Sequence, residues 1–154
     1  MIWFRKLLIL LLLAQIVFLI IVQFAEATSI SFTVHAGEEE TRTINLAVED
    51  RVLIKFTIVG SSDNTLYFSI TFTNGTVKEF GKVSYFHYPF VCDTEGECAL
   101  HFSNADSAED KLVTLDYEVE HYIFGVPQML FLTIIIVVVC VAAVATFILM
   151  GKPR

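Results

Sequence analysis

The chain has a long apolar run near each end and a mixture of apolar and polar residues between the two runs. One apolar run covers residues 7–24, and the other covers residues 130–150. Between them no stretch is apolar for long enough to cross a bilayer, which takes about 20 residues as a helix. The pattern predicts a small folded domain that one or two helices hold at a membrane.

Apolar and polar residues alternate with period two through the middle of the chain, which is typical of strands with one buried face. Six segments show the alternation: residues 29–34, 43–48, 51–58, 68–73, 99–102 and 113–120. No window keeps a helical period for ten residues. Residues 28–122 are therefore predicted to form an all-β, antiparallel sandwich of about seven or eight strands.

The predicted core is rich in phenylalanine. The expected members are Phe32, Phe56, Phe68, Phe72 and Phe102, joined by Phe80, Phe86 and Phe90. The aromatic segment 82–91 alternates weakly, so it is either a strand that closes the sandwich or an exposed ridge for a partner. Asn74-Gly75 predicts a hairpin with a type I′ turn.

The N-terminal run has the features of an export signal. Arg5 and Lys6 precede it, and Ala25 and Ala27 follow it with the spacing of a signal peptidase site. Residues 1–27 are therefore predicted to be a signal peptide cleaved after Ala27. An uncleaved signal anchor is the alternative, because the run is nearly long enough to span a membrane. Both alternatives export the domain.

The C-terminal run predicts a transmembrane helix over residues 129–150, after a linker at 123–128. It contains no charged residue. Lys152 and Arg154 follow it and mark the cytoplasmic side by the positive-inside rule. The expected topology is single-pass type I, with the domain extracellular or luminal and the tail at 151–154 cytoplasmic.

The charge of the exported region is strongly negative. Residues 28–122 contain six basic and sixteen acidic residues, a net charge of −10. Nucleic-acid binding needs clustered lysine and arginine, so this class of partner is excluded. Basic partners are compatible with the acidic surface.

Two cysteines of the domain lie close together in the sequence. Cys92 and Cys98 are predicted to form a disulfide, as nearby cysteines of exported domains most often do. Cys140 lies in the predicted membrane helix. Asn74 begins an Asn-Gly-Thr sequence, which makes it a candidate glycosylation acceptor.

The sequence offers no recognisable catalytic chemistry. His35, His87, His101 and His121 do not have the spacing of metal ligands, and no nucleophile elbow or phosphate-binding loop occurs. We therefore expect a protein that is not an enzyme and that has neither a metal nor a cofactor.

The segment 96–119 resembles the end of the GOLD domain of the emp24/gp25L/p24 family. The residues that carry the resemblance are Gly96, Phe102, Asn104, Ser107, Lys111 and Val113. The segment 32–37 is similar to the opening strand of the family. The resemblance implies a membrane-tethered recognition domain of the cargo-receptor or secretory-pathway type. The chain departs from the family in lacking a coiled coil and the sorting signals of the tail.

The predicted function is a membrane-tethered module that binds a protein partner through loops or an edge strand. Its other predicted partner is membrane lipid, through the C-terminal helix. The alternative is a structural subunit of a membrane or envelope complex that assembles, or oligomerises, through this helix. Ala142, Ala143 and Ala145 give the helix a small-residue patch that suits close helix packing.

Overall fold

A computed structural model of the chain describes residues 26–150. These residues fall into two compact units, a β-sheet unit that ends at Gly125 and a helical unit that begins at Val126. Most of the predicted signal peptide, the tail at 151–154, and the topology determinants Arg5, Lys6, Lys152 and Arg154 lie outside the described residues.

Eight strands form the two sheets of the β-sheet unit, and their side chains alternate between buried and exposed along most of them. The strands are β1 (Glu26–Val34), β2 (Glu39–Leu46), β3 (Arg51–Val59), β4 (Leu66–Thr71), β5 (Val77–Val83), β6 (Tyr85–Val91), β7 (Gly96–Ser103) and β8 (Lys111–Glu120). They form one sheet in the order β1-β8-β3-β6 and a second in the order β2-β7-β4-β5, and every neighbouring pair is antiparallel. The prediction of an antiparallel sandwich is confirmed.

The core between the sheets is built around phenylalanine rings. Phe56 and Phe102 are almost fully buried, and their ring centroids lie 5.1 Å apart in an edge-to-face contact. Phe32, Phe68 and Phe86 are also buried, whereas Phe72, Phe80 and Phe90 are partly buried and pack against the core. Each fully buried ring contributes roughly 1.5–3 kcal/mol of hydrophobic stabilisation. The predicted phenylalanine core is confirmed.

The aromatic segment 82–91 closes the sandwich. It contains the end of β5 and all of β6, which pairs with β3 in register from Tyr85 to Val91. Phe86 is buried against Phe56 at 5.1 Å between ring centroids. The interpretation of this segment as a strand that contributes to the core is therefore the right one.

The hairpin between β4 and β5 differs from its prediction in the type of turn. Gly75 has a φ of +80°, but Asn74 does not have the positive φ that a type I′ turn also requires at this position. Gly75 N donates to Phe72 O at 2.9 Å, and Phe72 N donates to Thr76 O at 2.8 Å. These bonds close a three-residue loop in which glycine occupies the left-handed position, so the predicted type I′ turn is wrong.

The turn between β2 and β3 contacts the chain just after β8. Asp50 is fully buried, and its carboxylate accepts a hydrogen bond from Ala47 N and lies 2.8 Å from His121 Nδ1. Its neighbour Glu49 has a φ of +69° and accepts a hydrogen bond from Gly125 N at 3.0 Å. Two short strands follow, β9 (Tyr122–Ile123) and β10 (Val126–Pro127), and they contain three of the six residues of the predicted linker.

The helical unit contains α1 (Gln128–Met150), a helix of 23 residues. At ~1.5 Å per residue it is about 35 Å long, enough to cross a hydrocarbon layer of ~30 Å. Its segment Gln128–Thr146 is long and apolar enough to span a membrane. The hydroxyl of Thr146 donates to the carbonyls of Ala142 and Ala143, so this polar group is satisfied inside the helix, as lipid requires.

Candidate functional site: the loop end, the strand edges and the outer faces

One end of the sandwich is held together by hydrogen bonds among three loops. These loops are the β1–β2 turn at 35–38, the β3–β4 loop at 60–65 and the β7–β8 loop at 104–110. Most of the residues that suggested the GOLD resemblance lie at this end or in the strands that lead to it.

Asn104 is the hub of this end and is only 3% exposed. Its Nδ2 donates to the carbonyls of Val34, His35 and Glu109, at 3.2, 3.2 and 2.7 Å. Its backbone adds a bond from Asn104 N to Glu38 O at 2.8 Å. Its Oδ1 is buried and has no hydrogen-bond partner among residues 26–150. The amide thus joins the β1–β2 turn to the β7–β8 loop.

Lys111 is buried beside this hub, with its side chain 2% exposed. Its Nζ donates to Thr65 O at 2.6 Å and lies 3.4 Å from Asp63 Oδ2. A buried ammonium group needs such partners, because desolvation would otherwise be costly. Lys111 therefore ties the start of β8 to the β3–β4 loop.

The exposed carboxylates of this end are held in their ionised form. A hydrogen bond from Ala36 N and a second contact with His35 lower the pKa of Asp110. Hydrogen bonds from Ser61 and Ser62 lower the pKa of Glu109. The pKa of His35 is raised by its hydrogen bond with Asp110, 2.9 Å away. These contacts join the same three loops, so their first effect is to order the loop end.

The other residues of the motif have packing or turn roles. Phe102 and Val113 are fully buried in the core. Ser107 Oγ donates to Glu109 O and accepts from Glu109 N, which closes the β7–β8 loop locally. Gly96 lies at the start of β7 with a φ of +147°, in the region that favours glycine. Asn104, Ser107 and Lys111 thus lie at the loop end, Phe102 and Val113 lie in the strands that lead to it, and Gly96 lies at the opposite end of β7.

The predicted disulfide is absent. Cys92 and Cys98 are both free and buried. Cys92 follows β6 of the first sheet, whereas Cys98 lies in β7 of the second. The thiol of Cys92 donates to Thr94 O at 2.9 Å, and burial, followed by the charge of Cys92, raises the pKa of Cys98 to about 11. The two cysteines are packing residues of the core.

The burial of these thiols predicts slow chemical modification. In a Cys140→Ala variant of the full chain, we expect Cys98 to react with Ellman's reagent at pH 8 about a hundredfold more slowly than an ordinary thiol, because little thiolate is present. Unfolding without reductant should release two thiols per chain, the same number as with reductant. Fewer than two thiols without reductant would show that the disulfide forms after all.

Asn74 is exposed in the β4–β5 turn. Its Oδ1 accepts a hydrogen bond from Thr76 N at 2.9 Å, which explains the residue as a turn former. Its glycosylation remains a prediction.

A histidine network that the sequence did not indicate lies on the outer face of the second sheet. His101 Nδ1 is 3.1 Å from Glu39 Oε1, and its Nε2 is 3.1 Å from Thr71 Oγ1. These residues belong to three neighbouring strands, β2, β7 and β4, so only the strand register brings them together. The network links side chains across the sheet.

The four edge strands differ in how well they are protected against strand addition. β2 carries Glu39, Glu40 and Arg42, β5 carries Lys78 and Lys82, and β6 contains Pro89. β5 also pairs with β4 across a register shift between Phe68 and Ser69. Charge, proline and bulges are the usual devices that block an edge. β1 has none of them after Glu26.

A groove crosses the outer face of the first sheet near the ends of β3, β6 and β8. It is an open groove with a volume of about 400 Å³. Its lining residues are Arg51, Val52, Leu53, Pro89, Phe90, Val91, Glu118 and Glu120.

Comparisons with known proteins give fold-level similarities alone. No protein-family model and no curated protein matches the chain. One similar solved structure is PliG of Aeromonas hydrophila, a periplasmic lysozyme inhibitor of g-type lysozyme, with 14% identity over 64% of this chain and 92% of that chain and a TM-score of 0.47. Another is a PliG mutant from Escherichia coli, with 13% identity over 64% and 91% of the two chains and a TM-score of 0.46. PliG of Salmonella Typhimurium is similar at 10% identity, over 64% and 91% of the chains, with a TM-score of 0.44.

The GOLD resemblance is wrong. The similar structures are periplasmic lysozyme inhibitors rather than GOLD proteins, and no family model supports membership. The physical reason lies in the degenerate motif. A core phenylalanine, a capping asparagine and a buried lysine are what this loop end needs for its own packing, so their order does not identify a family.

Proposed function

We propose that this chain is a non-enzymatic protein-binding domain tethered to a membrane by α1, and that its partner adds an extended segment to the free edge of β1. The orientation that we propose is single-pass type I. The positive charges of Lys152 and Arg154 favour a cytoplasmic tail, which leaves the sandwich outside.

The observation that carries the proposal is the open edge of β1. The strand has nine residues, pairs with β8 on one side, and ends its sheet on the other within residues 26–150. An unprotected edge presents a row of backbone donors and acceptors to an incoming strand. Main-chain hydrogen bonds would then provide affinity, and alternate side chains would provide specificity.

The side chains of β1 suit such an addition. Ser29, Ser31 and Thr33 share the outer face with Asp116 and Thr114 of β8, as the register shows. Ile30 belongs to the inner row with Phe32 and Val34 but is 37% exposed. An added strand with its own apolar residue opposite Ile30 would cover it and extend the core.

The proposal is tested by site-specific crosslinking in membranes of expressing cells. A photo-crosslinking amino acid is placed at Ser29 or Thr33 on β1 of the full chain, or at Thr43 on β2 and Lys78 on β5 as controls. We expect one discrete adduct from the β1 positions and none from the protected edges. Mass spectrometry identifies the adduct.

An edge-blocking substitution makes the test specific. Ile30→Lys places an inward-pointing charge on the edge, a natural protective device, and should reduce the adduct by at least about tenfold. Thr43→Lys adds the same charge on the other sheet and should leave it unchanged. Equal adducts from all four positions, or no effect of Ile30→Lys, would contradict strand addition.

A further inference from the structure

The groove on the outer face of the first sheet is built from two rows of side chains. Arg51 lies opposite Val91 on one side and Glu120 on the other, and Leu53 lies between Pro89 and Glu118 in the same way. Alternate residues of a strand share a face, so these six side chains surround one shallow trough. The trough is apolar on the β6 side and acidic on the β8 side.

The apolar side of the groove is open to solvent. Val91 is 55% exposed, Pro89 is exposed, and Leu53 beside Pro89 is half-buried. Together these side chains form an apolar surface about as long as the methylene chain of a lysine or arginine side chain. Long cationic side chains lay such stems along apolar surface while their charged heads remain in polar surroundings.

The acidic side retains hydrogen-bonding capacity. Glu118 Oε1 lies 3.6 Å from Lys55 Nζ, and both side chains are about two-fifths exposed. Glu120 Oε2 accepts a hydrogen bond from Tyr122 at 3.3 Å. An ionised carboxylate has about four acceptor positions, so each of these glutamates can accept further donors.

The guanidinium of Arg51, which lines the groove, contacts the ring of Tyr122. The guanidinium carbon of Arg51 lies 4.3 Å from the centroid of the Tyr122 ring, a cation–π contact. Although Arg51 and Glu120 are register partners, the guanidinium is stacked on Tyr122. This arrangement leaves the acidic side of the groove facing the apolar side.

We propose that this groove binds an arginine side chain of a protein partner. The stem lies over Leu53, Pro89 and Val91, and the guanidinium donates to the carboxylates of Glu118 and Glu120. Arginine fits better than lysine because its planar fork offers five donors and can join two acceptors. The net charge of −10 on residues 28–122 draws cationic partners to the domain.

This inference does not depend on strand addition at β1. The two surfaces are nevertheless neighbours, since Ala27 of β1 is the register partner of Glu118. A partner strand beside β1 would lie two strand spacings, about 10 Å, from the row that contains Glu118. One basic partner could occupy both surfaces, and either surface can be tested without the other.

The test uses the isotope-labelled full chain in detergent micelles, with NMR chemical shifts as the readout. The probe is the capped tripeptide acetyl-Gly-Arg-Gly-amide, and the matched control contains citrulline, which has the shape of arginine without its charge. We expect saturable shifts at Leu53, Val91, Glu118 and Glu120 with the arginine peptide, and at least about tenfold weaker binding of the citrulline peptide.

Two double variants separate the groove from general electrostatics. E118Q/E120Q should weaken binding of the arginine peptide by at least about tenfold. E38Q/E79Q removes the same charge from exposed positions outside the groove and should change binding less than about twofold. Equal losses in both variants, or shifts spread over the whole acidic surface, would overturn the proposal. Tighter binding of a lysine peptide would overturn the preference for arginine.

Discussion

Replacing Phe102 by alanine is expected to lower the free energy of unfolding by about 3–5 kcal/mol. Phe102 is fully buried, and its ring lies 4.9–5.3 Å between centroids from those of Phe32, Phe56 and Phe68. The two sheets supply these neighbours, so the substitution leaves a cavity between layers that strand pairing holds in place. The loss would be a large fraction of the ~5–15 kcal/mol typical of a whole domain.

The measurement is guanidinium denaturation of the full chain, followed by circular dichroism of the β-sheet signal. Tyr85→Ala is the matched control, because this aromatic residue is 62% exposed. Its removal should change stability by less than about 0.5 kcal/mol. Similar losses for Phe102→Ala and Tyr85→Ala would mean that the sheets do not pack through Phe102.

Replacing Asn104 by alanine should cost about 2–4 kcal/mol, because a buried donor that serves several carbonyls is lost and each unsatisfied group costs roughly 1–3 kcal/mol. The affected carbonyls belong to Val34, His35 and Glu109. They belong to the end of β1 with the turn that follows it, and to the β7–β8 loop, which is far away in sequence. The substitution should therefore loosen the β1–β2 turn and the β7–β8 loop together.

Amide hydrogen exchange distinguishes this hub from a local turn contact. Asn104→Ala should increase exchange at Gly37, whose N–H donates to Asn104 O, as well as at Glu109. Ser107→Ala is the control, since the bonds of the Ser107 hydroxyl are confined to Glu109, and it should affect the β7–β8 loop alone. An effect of Asn104→Ala that stops at the same loop would show that the amide does not couple the two segments.

The strands and the core could be predicted because both depend on local periodicity. Alternation of apolar residues along β3 and β8 specifies which face is buried, and the structure buries those positions. Segment 82–91 was ambiguous because its exposed face also carries aromatic residues, among them Tyr85. The prediction of a type I′ turn at Asn74-Gly75 was wrong because an Asn-Gly pair is compatible with several turn types. The register of β4 with β5 selects among them.

The groove could not be predicted because strand order and register create it. Leu53, Pro89 and Glu118 belong to three strands and come together only because β3 lies between β6 and β8. The open edge of β1 likewise requires the order of strands in the sheet. The cysteine prediction failed because closeness in sequence does not ensure the geometry that a disulfide needs. Cys92 follows β6 of the first sheet, whereas Cys98 lies within β7 of the second.

The contacts of Glu49 and Asp50 determine how the sandwich would carry a mechanical load. Tension on the chain at Gly125 would reach the bond from Gly125 N to Glu49 first, and then the contact between His121 and Asp50. Both bonds anchor to the β2–β3 turn, in which the carboxylate of Asp50 is fully buried. A force applied at Gly125 would therefore act on the β2–β3 turn before it could separate β8 from β1 and β3. This order protects the pairing of β8 with its neighbours.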